Sequence, residues 1–132
     1  MPLDLQLAGA ARARRGARNN LSGAAAEGAV ERVYRDAGHR VLERRWRGQG
    51  GEIDLILQDT DGTIVFAEVK KGRDFDSALA RISPVQVARI HAAAEEYLGL
   101  CPDGLLSDIR FDAALMDGAA RVDILKGALL AN

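Results

Sequence analysis

A chain of 132 residues, 48% hydrophobic and 28% charged, has room for one soluble domain around one core and none for a second. Lys plus Arg number 18 against 19 Asp plus Glu, so the net charge of −1 gives no global pull toward polyanions and basic character is confined to patches. The single cysteine, Cys101, excludes an internal disulfide, His39 and His91 offer no zinc-ligand spacing, and no apolar run reaches the roughly 18 residues of a membrane span.

These limits point to a reducing, cytoplasmic setting with no membrane partner. Cys101, just ahead of Pro102, reads as a packing or surface residue, because no histidine is suggested as its partner. Residues 1–20 mix Ala, Arg, Gly and Asn without sustained periodicity and read as a mobile basic tail carrying Arg12, Arg14 and Arg15. Residues 21–132 read as the single domain.

A helix is expected from Ser22 as N-cap, with Ala26, Val30, Val33 and Ala37 at three- and four-residue spacing and Gly38 as its stop. Glu27 lies beside that apolar stripe in the first turn, where the helix dipole favours an acid whatever its further role. Strands follow at 41–46, 52–58 and 63–70, then a loop from Gly72 to Ser83. Arg40, Arg44, Arg45 and Arg47 crowd the first strand, a solvated face or a phosphate-binding patch.

Ser83-Pro84-Val85-Gln86 opens a second helix with a Ser cap, Pro at the first position and Gln at the third, and Gly99 with Pro102 ends it. Its core face is Val87, Ile90, Ala94 and Tyr97 or Leu98. Strands at 109–116 and 121–125 and a short terminal helix complete the order α-β-β-β-α-β-β. The expected fold is α/β: a central mixed sheet with an antiparallel hairpin, then a parallel crossover, and helices on both faces.

The hairpin Asp59-Thr60-Asp61-Gly62-Thr63 admits two registers with opposite consequences. A two-residue turn at Asp61-Gly62 pairs Thr60 with Thr63, sets Asp54 opposite Val69 and separates the acids. A three-residue loop with Gly62 left-handed pairs Asp59 with Thr63 and so sets Asp54 opposite Glu68. The second is favoured, since glycine at the third loop position is what that loop requires.

In that register Glu52 opposes Lys70, and Glu68 and Lys70 share one face. Directly opposed carboxylates repel unless a cation lies between them. Mg²⁺ or Mn²⁺ takes one or two carboxylates plus carbonyls and waters, which Asp54, Glu68, the main-chain carbonyl of Val69 and Glu27 could supply. Such a site suits phosphodiester hydrolysis, with Lys70 as a compact positive charge for water or phosphate oxygen. An acid-x-Lys triplet alone arises about once by chance in a chain this long, so a purely structural ion-pair cluster stays open beside it.

The text from Gly23 to about Leu125 resembles the YraN family, small bacterial proteins with the restriction-endonuclease-like PD-(D/E)xK fold, similar in fold to archaeal Holliday junction resolvases. Carrying the resemblance are Ala26-Glu27-Gly28, Arg45-Trp46-Arg47, Gly50-Gly51-Glu52-Ile53-Asp54-Leu55-Ile56, Val65-Phe66-Ala67-Glu68-Val69-Lys70 and Arg110-Phe111-Asp112. It implies that Asp54, Glu68 and Lys70 are the nuclease signature residues and that Glu27 is the supporting helical acid. Gln86 stands where family members usually have lysine, so a substrate contact is implied there, although a capping box explains this glutamine without substrate. Ile53 stands in place of the signature proline.

The leading expectation is a divalent-metal-dependent nuclease acting on DNA, branched or duplex, with backbone contacts from Arg44, Arg45, Arg47 and the arginines of the tail. A noncatalytic nucleic-acid-binding module and a protein-interaction adaptor are the alternatives on the same fold. A homodimer is an open expectation, as for many nucleases that act on both strands.

Overall fold

A computed structural model describes residues 10–130, with side chains described from residue 23 onward except Leu105. In chain order the elements are α1 (Ala10–Asp36), β1 (Arg40–Arg47), β2 (Glu52–Gln58), β3 (Ile64–Lys71), α2 (Phe75–Ala80), α3 (Pro84–Leu100), a single 3-10 turn (Gly104–Leu106), β4 (Ile109–Met116) and β5 (Val122–Leu125). Three expectations about the elements are corrected. The first helix begins at Ala10 and not after a cap at Ser22, so part of the segment expected as a tail carries helix. Residues 1–9 and the side chains of Arg12, Arg14 and Arg15 lie outside the described residues.

The loop expected from Gly72 to Ser83 contains α2, whose start is closed by the Asp74 carboxylate accepting the Ser77 N–H. With only six residues, α2 is too short to show a helical period. No helix follows β5 among the described residues: the chain turns at Gly127 (φ +67°), whose N–H is held by the Asp112 carboxylate at 2.9 Å.

The sheet order is β1-β2-β3-β4-β5, antiparallel except for the β3/β4 pair, which the α2–α3 crossover joins in parallel. Helices cover both faces. Ala26, Val30 and Tyr34 of α1 pack on Leu55, Leu57, Val65, Ala67 and Val69, while Ala78 of α2 and Ile90, Ala93, Ala94, Tyr97 and Leu98 of α3 pack on the opposite face with Ile53, Ile56, Phe66, Ala113 and Leu115. Val33, expected inside, is exposed, and Tyr34 takes its place at strict four-residue spacing from Val30 and Ala26. This mixed sheet, with its hairpin, parallel crossover and helices on both faces, is the restriction-endonuclease-like arrangement expected.

Helix α1 stops in the two-bond pattern typical of a left-handed glycine: Gly38 (φ +93°) donates to Arg35 O at 2.9 Å and His39 N to Tyr34 O at 3.0 Å. Beyond it a buried polar cluster ties the hairpin end of the sheet to α1. Tyr34 Oη donates to Asp112 Oδ2 at 2.8 Å, and Arg110 grips both Asp112 oxygens at 2.8 and 3.0 Å. Arg110 also reaches Asp59 at 3.3 Å. Asp112 is wholly buried, and these bonds, with the Gly127 N–H, offset the cost of taking its charge out of water. Burial and the neighbouring Asp112 push the Tyr34 phenol well above its ordinary pKa, so it stays a donor.

Candidate functional site

The hairpin takes the three-residue loop. Asp59 N donates to Thr63 O at 2.9 Å, Gly62 N to Asp59 O at 3.0 Å, and Gly62 sits at φ +93°. The register then runs Gln58↔Ile64, Leu57↔Val65, Ile56↔Phe66 and Leu55↔Ala67. One step further lie Asp54 and Glu68.

At that step the regular ladder ends. Hydrogen-bonded pairs alternate in an antiparallel ladder, so after Asp59/Thr63, Leu57/Val65 and Leu55/Ala67 the next would join Val69 to Ile53. Instead the Val69 N–H goes to Asp54 Oδ2 at 2.8 Å. The side-chain phase of β2 slips at the same residue. Ile53 packs with the α3 face and Leu55 with the α1 face, although residues two apart on a regular strand share a face. Asp54, between them, is turned toward the β3 edge, and Arg45, its counterpart in the β1 register, has φ +49°. A local break in strand geometry thus aims a carboxylate along the sheet. In an extended strand a residue's carbonyl leaves from the same side as its N–H, which puts that of Val69 on the β2 side of β3.

Glu68 stands on the α3 face and is almost fully buried. Lys70, two residues on, places Nζ 3.4 Å from Glu68 Oε2, and Gln86 Nε2 donates to that same oxygen at 2.5 Å. The Ser83 hydroxyl accepts the Gln86 N–H at 3.1 Å, so the expected N-cap forms, but the Gln86 side chain bonds to Glu68. The capping-box explanation for this side chain is therefore set aside. Its main chain serves the helix and its amide serves the site.

Burial, first, and then the negative charge and hydrogen-bonding contact of Asp54 push the Glu68 carboxyl up to about 8, against a smaller downward pull from Lys70. With that shift the Glu68 carboxyl keeps its proton at neutral pH.

Glu27 enters from α1, and Arg45 Nε donates to its Oε1 at 3.0 Å. Burial raises the Glu27 pKa most; the Arg45 hydrogen bond opposes this and the Asp54 charge adds to it. Glu27, Gly51, Glu52, Asp54, Glu68, Val69, Lys70, Gln86, Arg89 and Ile90 line one cavity of about 410 Å³. Every residue expected to carry chemistry or hold metal is among them. Among the described residues no group of three or more His, Cys, Asp or Glu side chains is arranged to hold a metal ion; the acids lining this cavity are Glu27, Glu52, Asp54 and Glu68.

The loop between β1 and β2 is anchored by α3. The Glu96 carboxylate accepts the N–H groups of Gln49 and Gly50 at 2.8 and 2.6 Å, and a side chain at Gly51 would meet the Arg89 main chain at 3.0 Å. Glycine there lets Asp54 and the α3 residues Gln86 and Arg89 line the same cavity. Arg89 was missed by sequence reasoning. Its three-residue spacing from Gln86, which puts both on one side of α3, was the available signal.

The three β1 arginines expected to bind phosphate are all engaged by the chain itself. Arg44 grips both Glu31 oxygens at 2.8 Å, Arg45 holds Glu27 at 3.0 Å and Arg47 reaches Glu52 at 3.3 Å. The Arg44 and Arg35 guanidiniums hold the Glu31 carboxyl down to about 2. Sequence could not pair these residues, because the partners lie on α1 or across the hairpin.

Residues 26–124 match the family model described as "Uncharacterised protein family UPF0102". The chain is 49% identical over 116 residues to a UPF0102 protein of Ruegeria pomeroyi, covering 88% of this chain and 94% of that one. It is 50% identical over 108 residues to one of Roseobacter denitrificans, covering 82% and 83% respectively. A third, from Dinoroseobacter shibae, is 46% identical over 122 residues, covering 92% and 90%.

Proposed function

Since the chain belongs to the UPF0102 family, which is the YraN family of the sequence resemblance, its site must be read from its own chemistry, and we propose that it is a divalent-metal-dependent nuclease acting on DNA. One observation carries this reading: Asp54 and Glu68 converge beside Lys70 in an open cavity, where burial and then the charge of Asp54 raise the Glu68 pKa to about 8. Two crowded carboxylates with a main-chain carbonyl alongside are the hard-oxygen set that Mg²⁺ or Mn²⁺ prefers. Asp54, Glu68 and the Val69 carbonyl would hold the ion, with Glu27 supporting it from α1. When bound, such an ion supplies an acidified water and neutralises charge on phosphate oxygens.

The chain's own groups do the rest. Lys70 brings a positive charge to the carboxylate pair, placed to hold a phosphate oxygen or take up charge developing on it. Gln86 is a positioning residue that fixes the Glu68 carboxylate. Arg45 opposes the rise that burial imposes on the Glu27 pKa and holds its carboxylate at the cavity. The burial of Glu68 strengthens each of these interactions relative to water.

The test is incubation of linear, nicked and four-way-junction DNA with protein and Mg²⁺ or Mn²⁺. Cleavage that disappears in Glu68→Ala supports the reading, and equal cleavage by that variant, or none by the wild type at any concentration, defeats it.

A further inference from the structure

We infer that the site is fed by a basic groove on the α1–α2 side, carrying Arg73 and Arg81, along which a nucleic-acid backbone lies, and that the β1 arginines do not hold substrate. The inference rests on the nuclease reading for what happens to the strand, but not for where the strand binds.

A second cavity, of about 780 Å³, adjoins the carboxylate cavity and shares Glu27, Val69 and Lys70 with it. Its other charged lining residues are Lys71, Arg73 and Arg81, so cations outnumber acids there, and its one acid, Glu27, is already paired with Arg45. The nearby Asp117 is likewise taken, by Arg121 at 2.7 Å. Arg89, which lines the carboxylate cavity but not the second one, is without an ion-pair or hydrogen-bond partner among the described residues. The continuous groove therefore runs from Arg89, past the Asp54–Glu68 pair and Lys70, to Arg81 and Arg73.

The two groove arginines differ from those of β1 in what they do at rest. The Arg73 side chain is 87% exposed, with only a long contact of 3.8 Å to the exposed Asp74. Arg81 spends one donor on the Lys71 carbonyl at 2.8 Å, leaving the rest of its five-donor fork outward. A neutral acceptor does not cancel its charge. Arg44 and Arg45, by contrast, are held by carboxylates at 2.8 and 3.0 Å, and moving them onto phosphate would leave those acids unpaired. Exposed, charge-available arginines on either side of an anionic centre fit an extended polyanion, whose successive phosphates can pair with cations along the groove. Gly23 and Gly118 line the groove without side chains and leave the floor open to a sugar-phosphate chain.

The experiment is fluorescence anisotropy of a fluorescein-labelled DNA duplex in metal-free buffer across a salt series. The Arg73→Glu/Arg81→Glu protein is compared with Arg32→Glu/Arg40→Glu, which makes the same charge change outside the groove. The groove variant should bind at least tenfold more weakly and lose about two from the slope of log affinity against log salt, while the control stays close to wild type. Arg73→Lys/Arg81→Lys should restore most of the binding, which a folding defect would not allow. Equal weakening in groove variant and control, wild-type affinity in the groove variant, or no binding by the wild type overturns the inference. DNA cleavage that is untouched by the groove variant would sink the groove and leave the nuclease reading standing. Groove-dependent binding with no cleavage under any metal would do the reverse.

Discussion

The main-chain N–H of Val69 donates to Asp54 Oδ2 at 2.8 Å, where a regular ladder would send it to the Ile53 carbonyl. This bond fixes the carboxylate by the backbone of the strand that carries Glu68 and Lys70. It predicts that Asp54→Asn keeps the fold, because the amide oxygen still accepts, but loses divalent-ion binding. Asp54→Ala leaves the N–H unpaired and should cost roughly 1–3 kcal/mol as well. Urea unfolding and calorimetric Mn²⁺ titration of the two variants separate these effects.

Glu68, with its pKa raised from the usual 4.5 to about 8, makes the metal-free protein pH-sensitive in a definite direction. Between those values the native state binds a proton that the unfolded chain releases, so the contribution of Glu68 to stability is fullest below about 4.5 and is lost as pH rises to about 8. Glu68→Gln should flatten this dependence in thermal melts recorded across that window. In the wild type a divalent ion must displace the proton, so its affinity should rise with pH up to about 8, with proton release visible as a buffer-dependent binding enthalpy.

Ser83 and Gln86 divide the start of α3 between structure and site. Ser83→Ala removes the N-cap and should lower stability by about 1 kcal/mol while leaving DNA cleavage nearly intact. Gln86→Ala leaves the cap bond in place, because only its main chain makes it. It should lower cleavage at least tenfold with little change in the unfolding midpoint. The reverse pattern would return Gln86 to a capping role.

Asp112 lies outside the cavity, yet it is the most heavily bonded acid of the described chain, taking Tyr34, Arg110 and the Gly127 N–H. Asp112→Ala should cost about 3–5 kcal/mol, since it leaves the Tyr34 hydroxyl and the Gly127 N–H without their acceptor and Arg110 with only its longer contact to Asp59. Tyr34→Phe should cost about 1 kcal/mol. Guanidinium unfolding of both variants checks the ordering.

The hairpin shows how far sequence could go. Gly62 at the third position of its loop favoured the register that forms, because left-handed backbone there is cheap only for glycine. The register brought Asp54, Glu68 and Lys70 together before any coordinates. Gly38 and the Ser83-Pro84 cap were readable for the same reason: each is a local rule with a local cause. What escaped was decided at a distance. The bent geometry at Asp54, the Gln86 amide turning to Glu68 and the pairing of the β1 arginines depend on elements far apart in the chain. Helix α2 escaped because six residues are fewer than two full turns. Arg110-Phe111-Asp112 was visible as a motif, but its purpose appeared only when Tyr34 and Gly127 came to meet it.

The central claim is that a divalent ion belongs between Asp54 and Glu68, and an anomalous difference map from a crystal soaked in Mn²⁺ tests it most directly. The account predicts a peak within coordinating distance of both carboxylates and the Val69 carbonyl, with the Asp54–Glu68 hydrogen-bonding contact broken. A map with no peak there, and the two carboxyl groups still in contact with each other at saturating Mn²⁺, would contradict it.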